Sequence, residues 1–208
     1  MTQTDPAAYA PMIALYRTWN ERINVVSRKD IDALYEHHIL HSLAIAEYVD
    51  RYHPGGFDGA SVLDLGTGGG FPGIPLATRF PDAQFTLCDS IGKKVRVAQA
   101  VADGLGLKNV ECVNARAESL DRTFDWVVSR AVTSLDRFYP WVKGKFSRSI
   151  LYLKGGDVHA EISELVRKCR VEPGCIRVWP VNEWLEDKYF AEKFVIEIGK
   201  DYLCPPKF

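Results

Sequence analysis

Apolar residues recur every three or four positions over residues 7–20, where Ile13, Tyr16 and Trp19 share a stripe. They do so again over 31–51, through Leu34, His38, Leu43, Ala46 and Val49. Both spacings predict helices. Asp30 is placed to cap the second, and His53-Pro54-Gly55-Gly56 ends it. Beyond that break the runs shorten. Strands are predicted at 61–65, 84–89, 110–113, 124–128 and 149–153, with helices near 73–80, 92–105 and 134–144. Such an alternation builds a mostly parallel sheet with helices on both faces. Two later runs, Ile176–Trp179 and Lys193–Ile198, read as a closing hairpin at the sheet edge. The expected organisation is a helical extension over 1–58 and one α/β domain over 59–208.

Composition alters this picture little. With 208 residues, 47% hydrophobic and 25% charged, the chain is long enough to bury a core without cross-links. No apolar run approaches the roughly 18 residues of a membrane helix. The first residues lack a basic start and apolar stretch, so the expected location is the cytoplasm. Cys88, Cys112, Cys169, Cys175 and Cys204 form no C-x-x-C pair, which argues against a disulfide framework or zinc knuckle. His37 and His41, four apart on a helix, have a metal-sharing spacing but no third ligand nearby, so helix packing is expected of them. The net charge of −1 hides an asymmetry: residues 90–154 carry 12 basic and 6 acidic side chains. A local excess of this kind can make one face positive.

The chemistry concentrates where the first strand meets a run of glycines, Asp64-Leu65-Gly66-Thr67-Gly68-Gly69-Gly70-Phe71-Pro72-Gly73. In a doubly wound sheet, ligands bind at the carboxyl ends of the strands. Gly68, Gly70 and Gly73 satisfy the dinucleotide pattern G-x-G-x-x-G. Gly66, Gly68 and Gly70 satisfy G-x-G-x-G as well, with Asp64 two positions ahead. A carboxylate there suits a ligand with a cationic amino-acid portion, such as S-adenosylmethionine, better than a pyrophosphate. Asp89 ends the second strand, 23 residues after Gly66, and can accept hydrogen bonds from ribose hydroxyls in either case. Ala117 and Glu118 follow the third strand and are expected to border adenine; Arg130 follows the fourth and faces the reaction edge.

The segment Val62–Ala77, with its Phe71-Pro72-Gly73-Ile74-Pro75-Leu76 continuation, resembles the signature of the RNA small-subunit methyltransferase G family, also called glucose-inhibited division protein B. Trp19–Asn24, His38–Leu43, Asp89–Arg96, Arg116–Glu118, Ser129–Ala131 and Leu153–Gly155 resemble it in order and spacing. The likeness is good over about residues 9–156. It implies a Rossmann-like class I methyltransferase with a seven-stranded sheet and a helical N-terminal extension. It further implies methylation of a guanine N7 in the decoding-region hairpin loop of 16S ribosomal RNA. The donor would contact Gly66, Phe71, Ala117, Glu118 and Arg130; the loop and strand positions read above add Asp64, Gly68 and Asp89 to its expected site. His41 departs from the family, which commonly has aspartate there.

The residues agree with that chemistry. Guanine N7 is a lone-pair nucleophile with no proton to lose, so methyl transfer needs orientation rather than a general base. Neither the D/N-P-P-Y/F of amine methylation nor a Pro-Cys nucleophile follows the fourth strand; Ser129-Arg130-Ala131 does. Arg130 is therefore expected to orient donor or substrate. Lys93, Lys94, Arg96, Lys143, Lys145, Arg148 and Lys154 are candidates to neutralise RNA phosphates. Phe71, Trp126 and Trp141 are candidates to stack on a base, with core packing the commoner use of such rings. Three rivals stand beside this reading: a methyltransferase of small molecules or proteins, a nicotinamide-dependent oxidoreductase, and a non-catalytic RNA-binding protein. Asp64 weighs against the oxidoreductase. Balanced charge and the lack of a long heptad run favour a monomer.

Overall fold

The structure, a computed structural model, describes residues 5–201; Cys204 lies outside them. Seven strands, β1 (Ser61–Leu65), β2 (Gln84–Asp89), β3 (Val110–Asn114), β4 (Phe124–Arg130), β5 (Phe146–Gly155), β6 (Ile176–Pro180) and β7 (Lys193–Gly199), form one sheet. Their order is β3-β2-β1-β4-β5-β7-β6. Neighbours are parallel except at β7, which runs antiparallel to both β5 and β6. The expected closing pair is thus present, with the later strand on the inside and the earlier one at the edge.

Successive side chains of a strand point to opposite faces, and the central strands use both. Val62, Phe85, Leu87, Trp126 and Leu151 enter one apolar layer. Leu63, Leu65, Val127, Ile150 and Tyr152 enter the other. The second layer is covered by α5 (Leu135–Val142) and α6 (Val158–Cys169), through Leu135, Phe138 and Leu165. The first is covered by α3 (Gly73–Arg79), α4 (Gly92–Gly104) and the N-terminal extension, whose helices α1 (Ala10–Asn20) and α2 (His41–Tyr52) bring in Tyr16, Leu43 and Ile45. The extension and the sheet therefore share one core, and the boundary near residue 58 separates sequence patterns rather than packing units.

Helix α6 lies in a stretch beyond the predicted helices. Asp157 caps it, accepting hydrogen bonds from the His159 and Ala160 amides, and Arg170 closes it in the left-handed conformation. The helix expected over 31–51 is compound: a 3-10 turn at Ile31–Ala33, a widened π turn at Tyr35–Leu40, then α2. Wide turns of this kind often mark functional positions, and here the turn carries His37 and His38.

One buried charge ties the extension to the far side of the sheet. Glu197 of β7 is fully buried and accepts hydrogen bonds from Tyr48 Oη of α2 at 2.6 Å and Ser149 Oγ of β5 at 2.7 Å. His53 Nε2 lies 2.9 Å away. Burial alone would raise this carboxyl's pKa, but its contacts with His53, Tyr48 and Ser149 outweigh that and leave it lowered. Glu197→Ala is expected to cost about 3 kcal/mol, because it leaves buried donors without an acceptor. Urea unfolding measures this; a loss below about 1 kcal/mol would show that the carboxylate does not hold α2 in place.

Candidate active site

The glycine segment leaves β1 at the carboxyl edge of the sheet and opens one wall of a cavity of about 440 Å³. Its walls include Gly66, Gly68, Gly69 and Phe71 from the loop, Asp89 at the end of β2, Lys94 after it, Arg116, Ala117 and Glu118 after β3, and Arg130 at the end of β4. That volume lies within the range usual for small-molecule sites. Seven of the eight residues expected to meet the donor line this one cavity: Gly66, Gly68, Phe71, Asp89, Ala117, Glu118 and Arg130.

Asp64 is the eighth, and it lies beneath the loop instead of on the cavity wall. It is fully buried, and its Oδ2 accepts hydrogen bonds from Thr67 Oγ1 at 2.6 Å and the Gly73 amide at 2.8 Å. The carboxylate thus ties the two ends of the loop together. Its Oδ1 is buried with no hydrogen-bond partner among the described residues. Burial pushes the Asp64 pKa up to about 7, although bonds from Thr67 and Gly73 and the Arg130 charge pull it down. β1 is covered on both faces, so its sequence has no alternation to reveal that this acid points inward.

The glycines follow from crowding on this brace. A Cβ on Gly73 would stand 2.7 Å from Asp64 Oδ2. Gly70, at φ +110°, would place one 2.6 Å from Ile74 and 2.7 Å from Tyr16 Oη. Gly68 differs: its φ is +58°, and nothing lies within 4 Å of the Cβ position. There the missing side chain leaves the backbone open for close approach by a ligand. Asp89 holds the far side, its Oδ2 accepting from the Gly68 amide at 2.9 Å and its Oδ1 from the Ile91 amide at 2.8 Å.

The extension roofs the loop, a placement with no local mark in the sequence. Tyr16 Oη donates to the Gly69 carbonyl at 2.8 Å, and its ring stacks on Phe71 at 4.5 Å. Val25 lines the cavity. Phe71 is therefore packed, as is Trp126, whose indole donates to the Gly56 carbonyl at 2.8 Å. Trp141 lines the cavity and is only half-buried. Arg130 passes over the Phe71 ring at 5.1 Å and reaches His38 Nδ1 at 2.8 Å and the His37 carbonyl at 3.2 Å. His38 and His37 in turn bond Asp30, at 2.6 and 2.5 Å.

His37 also stacks on Tyr189, with ring centroids 3.7 Å apart. His41 is buried edge-on to Phe190, and its Nε2 has no hydrogen-bond partner among the described residues. Burial, then the Arg130 and Lys193 charges, keep its pKa well below the usual histidine value. A neutral ring is thus buried within reach of two cationic charges. Among the described residues, no three His, Cys, Asp or Glu side chains converge as a metal site would require.

The seven basic candidates divide. Lys94 lines the cavity, and Lys93 and Arg96 are exposed near the start of α4. Lys143, Lys145 and Arg148 surround the start of β5, at the opposite edge of the sheet, and Lys145 donates to the Leu120 carbonyl. Lys154 is held by Glu161 at 2.9 Å and the Thr133 carbonyl at 3.1 Å. Arg116, not among the seven, lines the cavity.

Residues 7–179 match the family model described as rRNA small subunit methyltransferase G. The chain belongs to that family. Its ribosomal RNA small subunit methyltransferase G relatives include that of Cytophaga hutchinsonii, 46% identical over 91% of this chain and 90% of that protein. That of Porphyromonas gingivalis is 47% identical over 90% and 84%. Among solved structures, magnesium protoporphyrin IX methyltransferase of Synechocystis PCC 6803 with bound SAM shares the fold at a TM-score of 0.67 and 14% identity, covering 91% of this chain and 97% of that one. The 16S rRNA N2 G1207 methyltransferase of T. thermophilus, with AdoMet and guanosine, does so at 0.57 and 17%, covering 86% and 45%. The Rossmann-like class I methyltransferase fold and the family implied by the sequence are thereby established.

The Asp64 brace has a pH signature. A carboxyl whose pKa rises on folding keeps its proton between pH 4 and 7, where the unfolded chain has released it. Stability from this group is therefore present at the acid end and lost as pH rises through that window, by up to about 1.4 kcal/mol per pH unit. Asp64→Asn keeps an acceptor for Thr67 and Gly73 but cannot titrate. Unfolding free energies measured from pH 4.5 to 8 should show wild type losing stability relative to Asp64→Asn as pH rises. Parallel curves would mean that Asp64 is ionised throughout.

Proposed function

We propose that this chain transfers the methyl group of S-adenosylmethionine to N7 of a guanine in the decoding-region hairpin loop of 16S ribosomal RNA, as a monomeric cytoplasmic enzyme acting on that RNA or the small subunit. The reading is carried by one observation: in a chain of this family, the open backbone at Gly68 lines a cavity together with Asp89, Glu118 and the Arg130 guanidinium.

The donor's chemical groups fit that wall. Asp89 spends one lone pair of each oxygen on a backbone amide and retains others for ribose hydroxyls. Ala117 and Glu118 border the adenine. Arg130 uses two of its five N–H groups on His37 and His38, leaving the rest for the donor's carboxylate. The donor supplies an electrophilic methyl on a sulfonium. Since N7 is unprotonated, the residues need to hold two partners in line and exclude water; no side chain has to take a proton. N7 lies on an edge that side chains reach more readily in a loop than in an A-form helix.

Labelled donor incubated with small subunits or 16S RNA should label a single hairpin-loop guanine, with N7 located by strand scission at the alkylated base. Label in protein or small molecules alone would overturn the proposal. The divided basic residues give a second test. Lys93→Glu with Lys94→Glu should weaken RNA binding and flatten its salt dependence by about 0.7 for each phosphate no longer neutralised. Lys143→Glu with Arg148→Glu, at the opposite sheet edge, should leave both near wild type. The reverse pattern would place the RNA on the other edge.

A further inference from the structure

Arg130 is a long side chain at a strand end, and its position has to be imposed from outside. Three neighbours impose it: the Phe71 ring, the His37 carbonyl and the His38 ring. The last of these is chemically directional. Arginine only donates, so His38 Nδ1 must carry a free lone pair. The ring proton then resides on Nε2, 2.6 Å from Asp30 Oδ2, to which it donates. Only one tautomer satisfies both neighbours, and the acid selects it. The other Asp30 oxygen lies 2.5 Å from His37 Nδ1, so both carboxylate oxygens are engaged by one turn of the extension. Burial and the Arg130 charge hold the His38 pKa down at about 4, so the ring stays neutral while Arg130 is charged.

We propose that His38 is a positioning residue, a neutral acceptor whose tautomer Asp30 fixes, and that it aims Arg130 at the carboxylate of the methyl donor. The inference rests on reading Arg130 as that carboxylate's partner. It gives the extension a role in donor recognition, because Asp30 and His38 lie 100 and 92 residues before Arg130 and act only through it. It also explains the widened turn at Tyr35–Leu40, which lets consecutive histidines reach one carboxylate.

Calorimetric titration with two ligands separates positioning from general damage. S-adenosylhomocysteine carries the amino-acid carboxylate; 5′-methylthioadenosine lacks the whole amino-acid end. His38→Ala should weaken S-adenosylhomocysteine roughly tenfold, the size expected for one charge-assisted hydrogen bond. Methylthioadenosine should change less than about twofold. His38→Asn, whose amide oxygen can stand in for Nδ1, should recover most of the loss and serves as the working variant if His38→Ala folds poorly. Arg130→Ala should discriminate between the ligands at least as strongly, and the double variant should bind S-adenosylhomocysteine no more weakly than Arg130→Ala alone. Parallel loss of both ligands in the His38 variants, or wild-type affinity in them while Arg130→Ala is impaired, would overturn the proposal. If Arg130→Ala itself left the ligands undiscriminated, the carboxylate reading of Arg130 would fall, and the role of His38 with it.

Discussion

The site depends on a buried carboxylate. Asp64 lies under the glycine loop and accepts from Thr67 at its beginning and Gly73 at its end. These two bonds close the loop into a compact arch over the end of β1. Once the arch is closed from below, side chains have nowhere to go: a Cβ at Gly73 meets the carboxylate, and one at Gly70 meets Ile74 and the tyrosine above. The glycines are thus demanded by packing at Gly70 and Gly73, and by the left-handed backbone at Gly68, where the space beside it is open. Desolvation makes this an expensive place for an acid, which is why its pKa is displaced so far.

The second constraint acts from above. The N-terminal extension packs on the same sheet face as α3 and α4 and seats Tyr16 on the arch. It sends His38 to the tip of β4, and Tyr48 to a buried glutamate on β7. An arch held on one side only would be free to lift; held on both, its backbone is fixed in place beside the cavity. Such preorganisation is what an orientation-driven methyl transfer requires, since no acid–base chemistry compensates for a misplaced partner.

Much of this is legible in the residues. The strands stand out as short apolar runs, the arch as glycines after a strand, and Asp89, Ala117, Glu118 and Arg130 by position after successive strands. What escapes has physical reasons. Asp64 sits in a strand buried on both faces, so its neighbours give no hint of inward or outward direction. The basic excess of residues 90–154 is real, but linear counting cannot tell that α4 begins at one sheet edge and β5 at the other. Helix α6 is the exception, since its marks are legible: a cap at Asp157 and a one-sided stripe of Val158, Ile162, Leu165 and Cys169 interspersed with charges. The bond between His38 and Arg130 spans 92 residues and leaves no local trace.

The central claim is that arch and extension form one donor site. Hydrogen exchange with and without S-adenosylhomocysteine tests it most directly, because amide protection is resolved along the chain. The account predicts added protection at residues 66–71 and 89–91, and in the same titration at residues 35–41 of the extension. Protection confined to the arch, with the extension exchanging as in the free protein, would contradict it.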